Sequence, residues 1–263
     1  INGHWAFDGR LSLIKSDGYI DRATSDLRSY YLSGGYYGDK TSVKFITFAG
    51  KERTYQSWWG TPESRLENDG AGMLEYAATE GLSPEQTENL LTSGRTYNHY
   101  LYKNEVDNYK QDHYQLHLAH QFNNAWSLTA GLHYTRGRGY YEQYKTHDNF
   151  ADYGVANPVI NNDTIESGDF ILRRWLDNHF IGGVYNVNYH QNNLDISLGG
   201  GYNYYDGDHY GEIIWAEYAQ NIPTETRYYN NYGRKGDFNT YLKVDYTFFD
   251  RLTIFGDAQV RHI

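Results

Sequence analysis

Apolar residues recur at every second position through most of the readable chain, and they do so in pairs of segments joined by very short connections. Tyr114, Leu116, Leu118 and Phe122 alternate with Gln115, His117, Ala119 and Gln121, and a turn at Asn123-Asn124 follows. Trp126, Leu128, Ala130, Leu132 and Tyr134 then alternate with Ser127, Thr129, Gly131, His133 and Thr135. A period of two sends successive side chains to opposite faces of a strand, so the pattern predicts a hairpin with one apolar face and one polar or small face.

The plan repeats. Ile181, Gly183, Tyr185, Val187 and Tyr189 lead through Gln191-Asn192-Asn193 to Leu194, Ile196, Leu198, Gly200, Tyr202 and Tyr204, with Asn186, Asn188, Asp195, Ser197 and Asn203 opposite. Thr240, Leu242, Val244, Tyr246 and Phe248 lead through Asp250-Arg251 to Leu252, Ile254, Gly256, Ala258 and Val260, with Lys243, Asp245, Asp257, Gln259 and Arg261 opposite. Near the start, Trp5, Phe7, Gly9, Leu11 and Leu13 alternate with Asp8, Arg10 and Ser12. A hairpin at Gly38-Asp39-Lys40 then joins a Tyr-rich strand over about 27–37 to one holding Val43, Phe45 and Thr47. About nine strands of roughly ten or more residues result, against the five or six usual in soluble sheets.

The connections are lopsided: tight turns alternate with polar links over about 16–26, 53–112, 141–177 and 207–235. Long strands with short turns on one rim and long loops on the other predict an antiparallel transmembrane β-barrel. Aromatics near the tight turns (Tyr36, Tyr37, Phe122, Trp126, Tyr189, Phe248) and near the loops (Tyr134, Tyr140, Tyr141, Tyr202, Tyr204) would form its two girdles. The charged mid-strand positions Asp195, Lys243, Asp245, Asp257 and Arg261 would then face the lumen. The alternative is a soluble or surface-exposed β-rich carbohydrate-binding module whose apolar face packs on a second sheet. Strand length and charge on the polar face favour the membrane barrel.

One loop switches period. Over residues 68–94, Met73, Leu74 and Ala77 share a helical face, Gly81 is placed to end a first helix, and Ser83-Pro84-Glu85-Gln86 forms a capping box for a second that stops by Gly94. Ordered structure in a loop of this size points to function. The loops also hold Trp58, Trp59, Tyr97, Tyr100, Trp175, Trp215, Tyr228 and Tyr229 among Asn, Asp and Arg. Flat amphipathic rings beside polar groups suit a sugar, a haem-like ring or a siderophore, by stacking plus directed hydrogen bonds. The competing reading is that these rings pack the loops against one another.

Charge and composition narrow the function. With 33 Asp+Glu against 23 Lys+Arg, a net charge of -10 and no cluster of Lys or Arg, the chain is not suited to nucleic acid. Zero cysteines exclude disulfides and thiolate metal sites. No apolar run exceeds four residues, Ile213 to Ala216, so no helix spans a membrane. His113 and His117 share a strand face while His120 points away, Asp206-Gly207-Asp208-His209 lacks the remaining ligands of a calcium loop, and neither Glu63/Glu67/Asp69 nor Asp17/Asp21/Asp26 has a fixed separation. No nucleophile elbow, P-loop or dinucleotide motif is present. No metal, cofactor or enzymatic activity is therefore expected.

The stretch Asp17-Gly18-Tyr19-Ile20-Asp21-Arg22-Ala23-Thr24-Ser25-Asp26-Leu27-Arg28-Ser29-Tyr30, with Gly34-Gly35-Tyr36-Tyr37 and Lys40-Thr41, resembles the barrel of TonB-dependent outer-membrane receptors of Bacteroides-type bacteria. So does Phe48-Ala49-Gly50-Lys51-Glu52-Arg53-Thr54-Tyr55-Gln56-Ser57-Trp58-Trp59-Gly60-Thr61-Pro62-Glu63-Ser64-Arg65. The resemblance is strongest over residues 5–125. It implies a 22-stranded barrel in the outer membrane, plugged by the receptor's own N-terminal domain and driven by a TonB complex through an N-terminal box. It also implies a small-molecule or glycan ligand and the option of a surface lipoprotein partner. No plug, TonB box or terminal aromatic strand is found in these 263 residues. The expectation is thus an internal piece of the barrel, with lumen residues that meet the plug.

Overall fold

In the computed structural model, which describes residues 3–218 and 222–263, the alternation seen in the sequence sets one continuous register. The main sheet runs β1 (Trp5–Ser16), β2 (Ser25–Tyr37), β3 (Thr41–Tyr55), β4 (Val106–Gln121), β5 (Trp126–Asn149), β8 (Ser167–Gln191), β9 (Leu194–Ala216), β10 (Thr226–Phe248) and β11 (Leu252–His262). Every strand is antiparallel to the next in that order, giving a nine-stranded meander. The short β6 (Val159–Ile160) and β7 (Asp163–Thr164) pair separately.

Partner residues carry one face across the whole sheet. Phe45, Leu116, Leu132, Gly183, Tyr202 and Phe238 stand directly opposite one another, and so, one residue away on the other face, do Lys44, His117, Gly131, Val184, Gly201 and Asn239. The polar face is concave: residues from β3 through β10, among them Lys44, His117, Asn186 and Tyr241, bound one hollow of about 750 Å³. The apolar face is convex and uncovered, with Leu132 60% and Ile181 54% exposed. A soluble sandwich would bury this face under a second layer; among the described residues none exists. The architecture is the wall of an antiparallel β-barrel, with β1 and β11 each paired on one side.

The tight turns fall where the sequence placed them. Asn123 Oδ1 accepts from the backbone N–H of Ala125 and Trp126 at 2.9 and 3.0 Å, a side chain standing in for a turn carbonyl. In the three-residue loop between Phe248 and Leu252, Phe249 and Asp250 both take positive φ, 51° and 54°, and the Arg251 N–H donates to the Phe248 carbonyl at 3.0 Å, a turn whose handedness matches the twist of the strands.

The loop rim differs from the expectation. The predicted links 141–177 and 207–235 are largely strand: β5 continues to Asn149, β8 starts at Ser167, β9 reaches Ala216 and β10 starts at Thr226. Asp206 to His209 is therefore strand interior rather than loop entry. Above the apolar belt both faces are polar or aromatic, so the two-residue rhythm fades although the backbone ladder persists. The 53–112 link shortens for the same reason, since β3 ends at Tyr55 and β4 begins at Val106.

The insert between β3 and β4 folds as α1 (Glu63–Leu66), α2 (Gly70–Thr79) and α3 (Pro84–Thr92). Gly81 takes φ +64° just beyond α2, and Ser83 and Gln86 form the reciprocal capping box. Met73, Ala77, Leu90 and Tyr97 make the insert's core. Leu74, expected on that face, is exposed instead, because α2 turns only a narrow stripe inward. Arg65 is buried and donates to the carbonyls of Leu90 (3.1 Å) and Leu91 (2.7 Å), so it satisfies acceptors that the end of α3 leaves open.

Removing the cap tests this assembly. Ser83→Ala should cost about 1 kcal/mol, seen as faster amide exchange in α3 with exchange in β4 and β5 unchanged.

Candidate ligand-binding site

Glycine and tyrosine are fitted together on the concave face. A Cβ on Gly137 would stand 1.9 Å from the Tyr109 hydroxyl, and one on Gly207 2.3 Å from the Tyr205 hydroxyl. At Gly211 it would meet the rings of Tyr228 and Tyr229 at 2.3 and 2.4 Å. These rings lie across bare backbone, which covers the glycines and brings large phenols close to the wall. The Tyr205 hydroxyl donates to Asn178 Oδ1 at 2.8 Å and lies 3.0 Å from His209 Nε2.

Toward the loop rim this wall carries a cationic centre. Arg174 on β8 donates through Nη1 to the Tyr141 hydroxyl (3.1 Å) and through Nε to the Tyr228 hydroxyl (3.3 Å). Tyr228 sits at a bulge in the β9–β10 pairing, between Arg227 and Tyr229, which turns its ring inward. Tyr153 meets Tyr228 edge-on at 5.0 Å, Tyr229 meets it at 5.0 Å, and Trp58 meets Tyr141 edge-on at 5.6 Å. Among the described residues no carboxylate forms an ion pair with Arg174. Its charge is held by neutral phenols and stays available to an anion. Beside it, residues 150–166 fold over the concave face, packing Phe150 and Tyr153 on Phe170, Leu172, Ile213 and Ala216.

Three of the aromatic residues singled out in the sequence, Trp58, Tyr228 and Tyr229, join this centre. Trp59 and Tyr100 form a second group: Trp59 stacks on His99 at 4.9 Å, Tyr100 meets His99 edge-on at 5.4 Å, and with Tyr102, Tyr144 and Glu105 they line a pocket of about 610 Å³ between insert and β5. Tyr97 is core, 1% exposed, and burial pushes its phenol up to about 12. Trp175 and Trp215 are strand residues whose register puts them on the convex side, where Trp175 Nε1 donates to Glu212 at 2.8 Å and the ring packs against Tyr140. Tyr141, expected in a girdle, faces inward. Arg174 and Tyr153 escaped the sequence reading; the parity of the lower strands, carried upward along β5 and β8, places Tyr141 and Arg174 on the polar face.

The five charged positions lie on the concave face, four toward the turn rim and Arg261 at the far end of β11. Lys243 is 3.5 Å from Asp245 and opposite Asp257, Asp245 is opposite Asp195, Asp195 contacts His190, and Arg261 pairs with Asp237 at 2.6 Å.

The insert is anchored to β5 by buried polar groups. Glu142, 2% exposed, accepts from Tyr102 (2.7 Å), Asn104 (2.5 Å) and Arg173 (2.7 Å). Fully buried Asn98 donates to the carbonyls of Asp21 (2.8 Å) and Gln56 (3.1 Å). Burial raises the Glu105 carboxyl to about 7, against the opposing pull of the Tyr144 N–H that it accepts.

Fold comparison adds a frame. At the level of sequence, no protein-family model and no curated protein matches the chain. Solved structures do. The ferric-catecholate import receptor Fiu from E. coli K12, open form, aligns with 99% of this chain and 40% of its own at TM-score 0.62 and 12% identity. The RagAB peptide transporter aligns with 97% and 30% at 0.59 and 9%. FpvAI in its complex with pyocin S2 aligns with 99% and 34% at 0.63 and 10%. These neighbours are TonB-dependent outer-membrane receptors. The fold is that of part of their barrel, and the chain spans about a third of their length.

Glu105 gives the anchor a pH dependence of defined sign. An acid whose folded pKa lies above its unfolded value is neutral in both states at low pH; its stability contribution falls as pH rises from about 4.5 to about 7 and is level beyond. Protection of residues 98–105, taken relative to the unfolded exchange rate at each pH, should be lower at pH 8 than at pH 4, by an opening free energy on the order of 3 kcal/mol, and Glu105→Gln should remove that difference.

Proposed function

We propose that the chain forms part of the wall of an energy-coupled outer-membrane receptor and that the Arg174 centre contacts its ligand. The single observation that carries the membrane setting is the uncovered convex face, which no second layer shields from solvent. Two readings of the ligand remain in the family's range: a small molecule such as a ferric siderophore, haem or cobalamin, or a glycan. An arginine without a carboxylate partner, ringed by Trp58, Tyr141, Tyr228 and Tyr229, favours an anionic ligand with flat parts, because the charge and the ring faces act together.

In this reading Asp195, Lys243, Asp245, Asp257 and Arg261 meet the receptor's own plug domain, a TonB complex supplies energy, a surface lipoprotein is an optional partner, and transport needs no covalent chemistry in this chain. The Bacteroidetes-type assignment is supported by the sequence resemblance over residues 5–125.

Two measurements test the proposal. The chain should partition into detergent micelles and acquire β-structure there; folding in plain buffer would remove the membrane setting. In the full-length receptor, Arg174→Ala should weaken ligand binding about tenfold or more, the usual scale for losing a charge-assisted hydrogen bond. Trp175→Ala, one residue along but on the convex side, should change it less than about twofold. The reverse order of effects would refute the concave site.

A further inference from the structure

We infer that the pocket between the insert and β5 is a second binding site, separate from the Arg174 centre, that takes the guanidinium or primary ammonium group of an organic cation. The pocket exists because β5 outruns its neighbour. Pairing with β4 stops at Tyr141 opposite Asp107, while β5 continues to Asn149, and beyond that point side chains meet two of the backbone groups on the open edge. Gln56 Nε2 donates to the Glu142 carbonyl at 3.1 Å, and the Tyr144 N–H donates to Glu105 Oε2 at 3.2 Å. Tyr144 lies three residues beyond Tyr141, about 10 Å along the strand. The two sites are thus neighbours, and they share no lining residue.

Glu105 brings more than its local role needs. One N–H takes one acceptor, which a glutamine would supply equally well. Here a carboxyl stands 3% exposed, and among the described residues its second oxygen has no hydrogen-bond partner and the group has no ion pair. Burying a charge without a counter-charge is costly, and that cost holds the carboxyl at about 7. The surrounding charges leave the deficit one-sided. Glu85 and Asp148 also line the pocket. Against them stands Lys145, the one lysine or arginine in the lining, which makes no ion pair among the described residues. Burial pushes the His99 imidazole down, towards its neutral form.

The walls are rings: Trp59, Tyr100, Tyr102 and Tyr144. Trp59, 47% exposed, is fixed from behind, with one face on His99 at 4.9 Å and Nε1 donating to the Tyr76 hydroxyl at 3.0 Å. Tyr102 and Tyr144 stack at 5.8 Å and tie their hydroxyls to Glu142 and Asp169. Ring faces beside carboxylates attract an N–H-bearing cation twice, through the rings' quadrupoles and through charge-assisted hydrogen bonds. A neutral sugar would use the rings and leave the buried carboxyl uncompensated. A metal ion fits poorly, since no three His, Asp or Glu among the described residues cluster as ligands. At about 610 Å³ the pocket has room for a guanidinium and a short alkyl chain.

The test uses the full-length protein in neutral detergent, with N-butylguanidinium as probe and N-butylurea, its uncharged counterpart of the same shape, as control, each titrated by saturation-transfer NMR. The cation should bind about tenfold or more tightly than the urea. Glu105→Gln keeps the acceptor for the Tyr144 N–H and should weaken the cation about tenfold. Trp59→Ala should weaken it about threefold. Lys145→Gln removes the competing charge and should tighten it about twofold. Glu88→Gln, an equal change of charge at an exposed position of α3 outside the pocket, should alter it less than about twofold. Equal binding of the cation and the urea by the unaltered protein means a pocket for neutral ligands and overturns the inference whatever the variants do. Weaker binding in Lys145→Gln overturns it as well, and so does full displacement of the probe by millimolar calcium, which would mean a metal site. The Arg174 reading stands or falls separately, on Arg174→Ala and the ligand of that centre.

Discussion

Everything in this fold depends on a nine-stranded antiparallel ladder whose apolar side no second layer covers among the described residues. The backbone groups of each inner strand are satisfied by its two neighbours, the condition that crossing hydrocarbon would impose in the proposed setting. The apolar face has only its surroundings to bury it. Closed apolar cores occur only where chain folds over chain: within the insert, around Met73, Ala77, Leu90 and Tyr97, and where Phe150 and Tyr153 pack on Phe170, Leu172, Ile213 and Ala216 of the concave wall.

The concave side solves a different problem. A wall one sheet thick cannot bury tyrosines beneath its surface, so it lays them flat over glycines, and bulk and bareness alternate in register at Gly137, Gly207 and Gly211. Where the bulge at Tyr228 interrupts the pairing, two phenols converge on Arg174. The abundance of both residue types, 29 Tyr and 27 Gly, is a property of this one-layer design.

The lower barrel wall was legible because each position there has one lipid-like and one water-like alternative, and the two-residue rhythm records the choice. Turns at Asn123 and Asp250, the Ser83 cap and Gly81 were legible from local chemistry alone. The upper strands were not, since Trp175, Trp215, Tyr228 and Tyr229 sit where both faces accept polar and aromatic residues. The Arg174 centre was half visible: aromatic content picked out Trp58, Tyr228 and Tyr229, but the arginine that organises them looks in sequence like any polar residue of a loop. Tyr97 failed in the opposite sense, because nothing local separates a ring that packs the insert from one that faces solvent.

The length of those upper strands sets a distance. β5 and β8 have 24 and 25 residues, about 80 Å of strand at 3.3 Å per residue, or roughly 60 Å of height at a tilt near 40°. An apolar belt is about 25 Å tall, so in the proposed setting a stiff shaft of about 35 Å separates the rim from the bilayer. A solute caught at the rim has entered a confined column long before it reaches lipid depth. Its escape is then governed by diffusion back along that column as well as by its affinity, so even a weak first contact lengthens its stay.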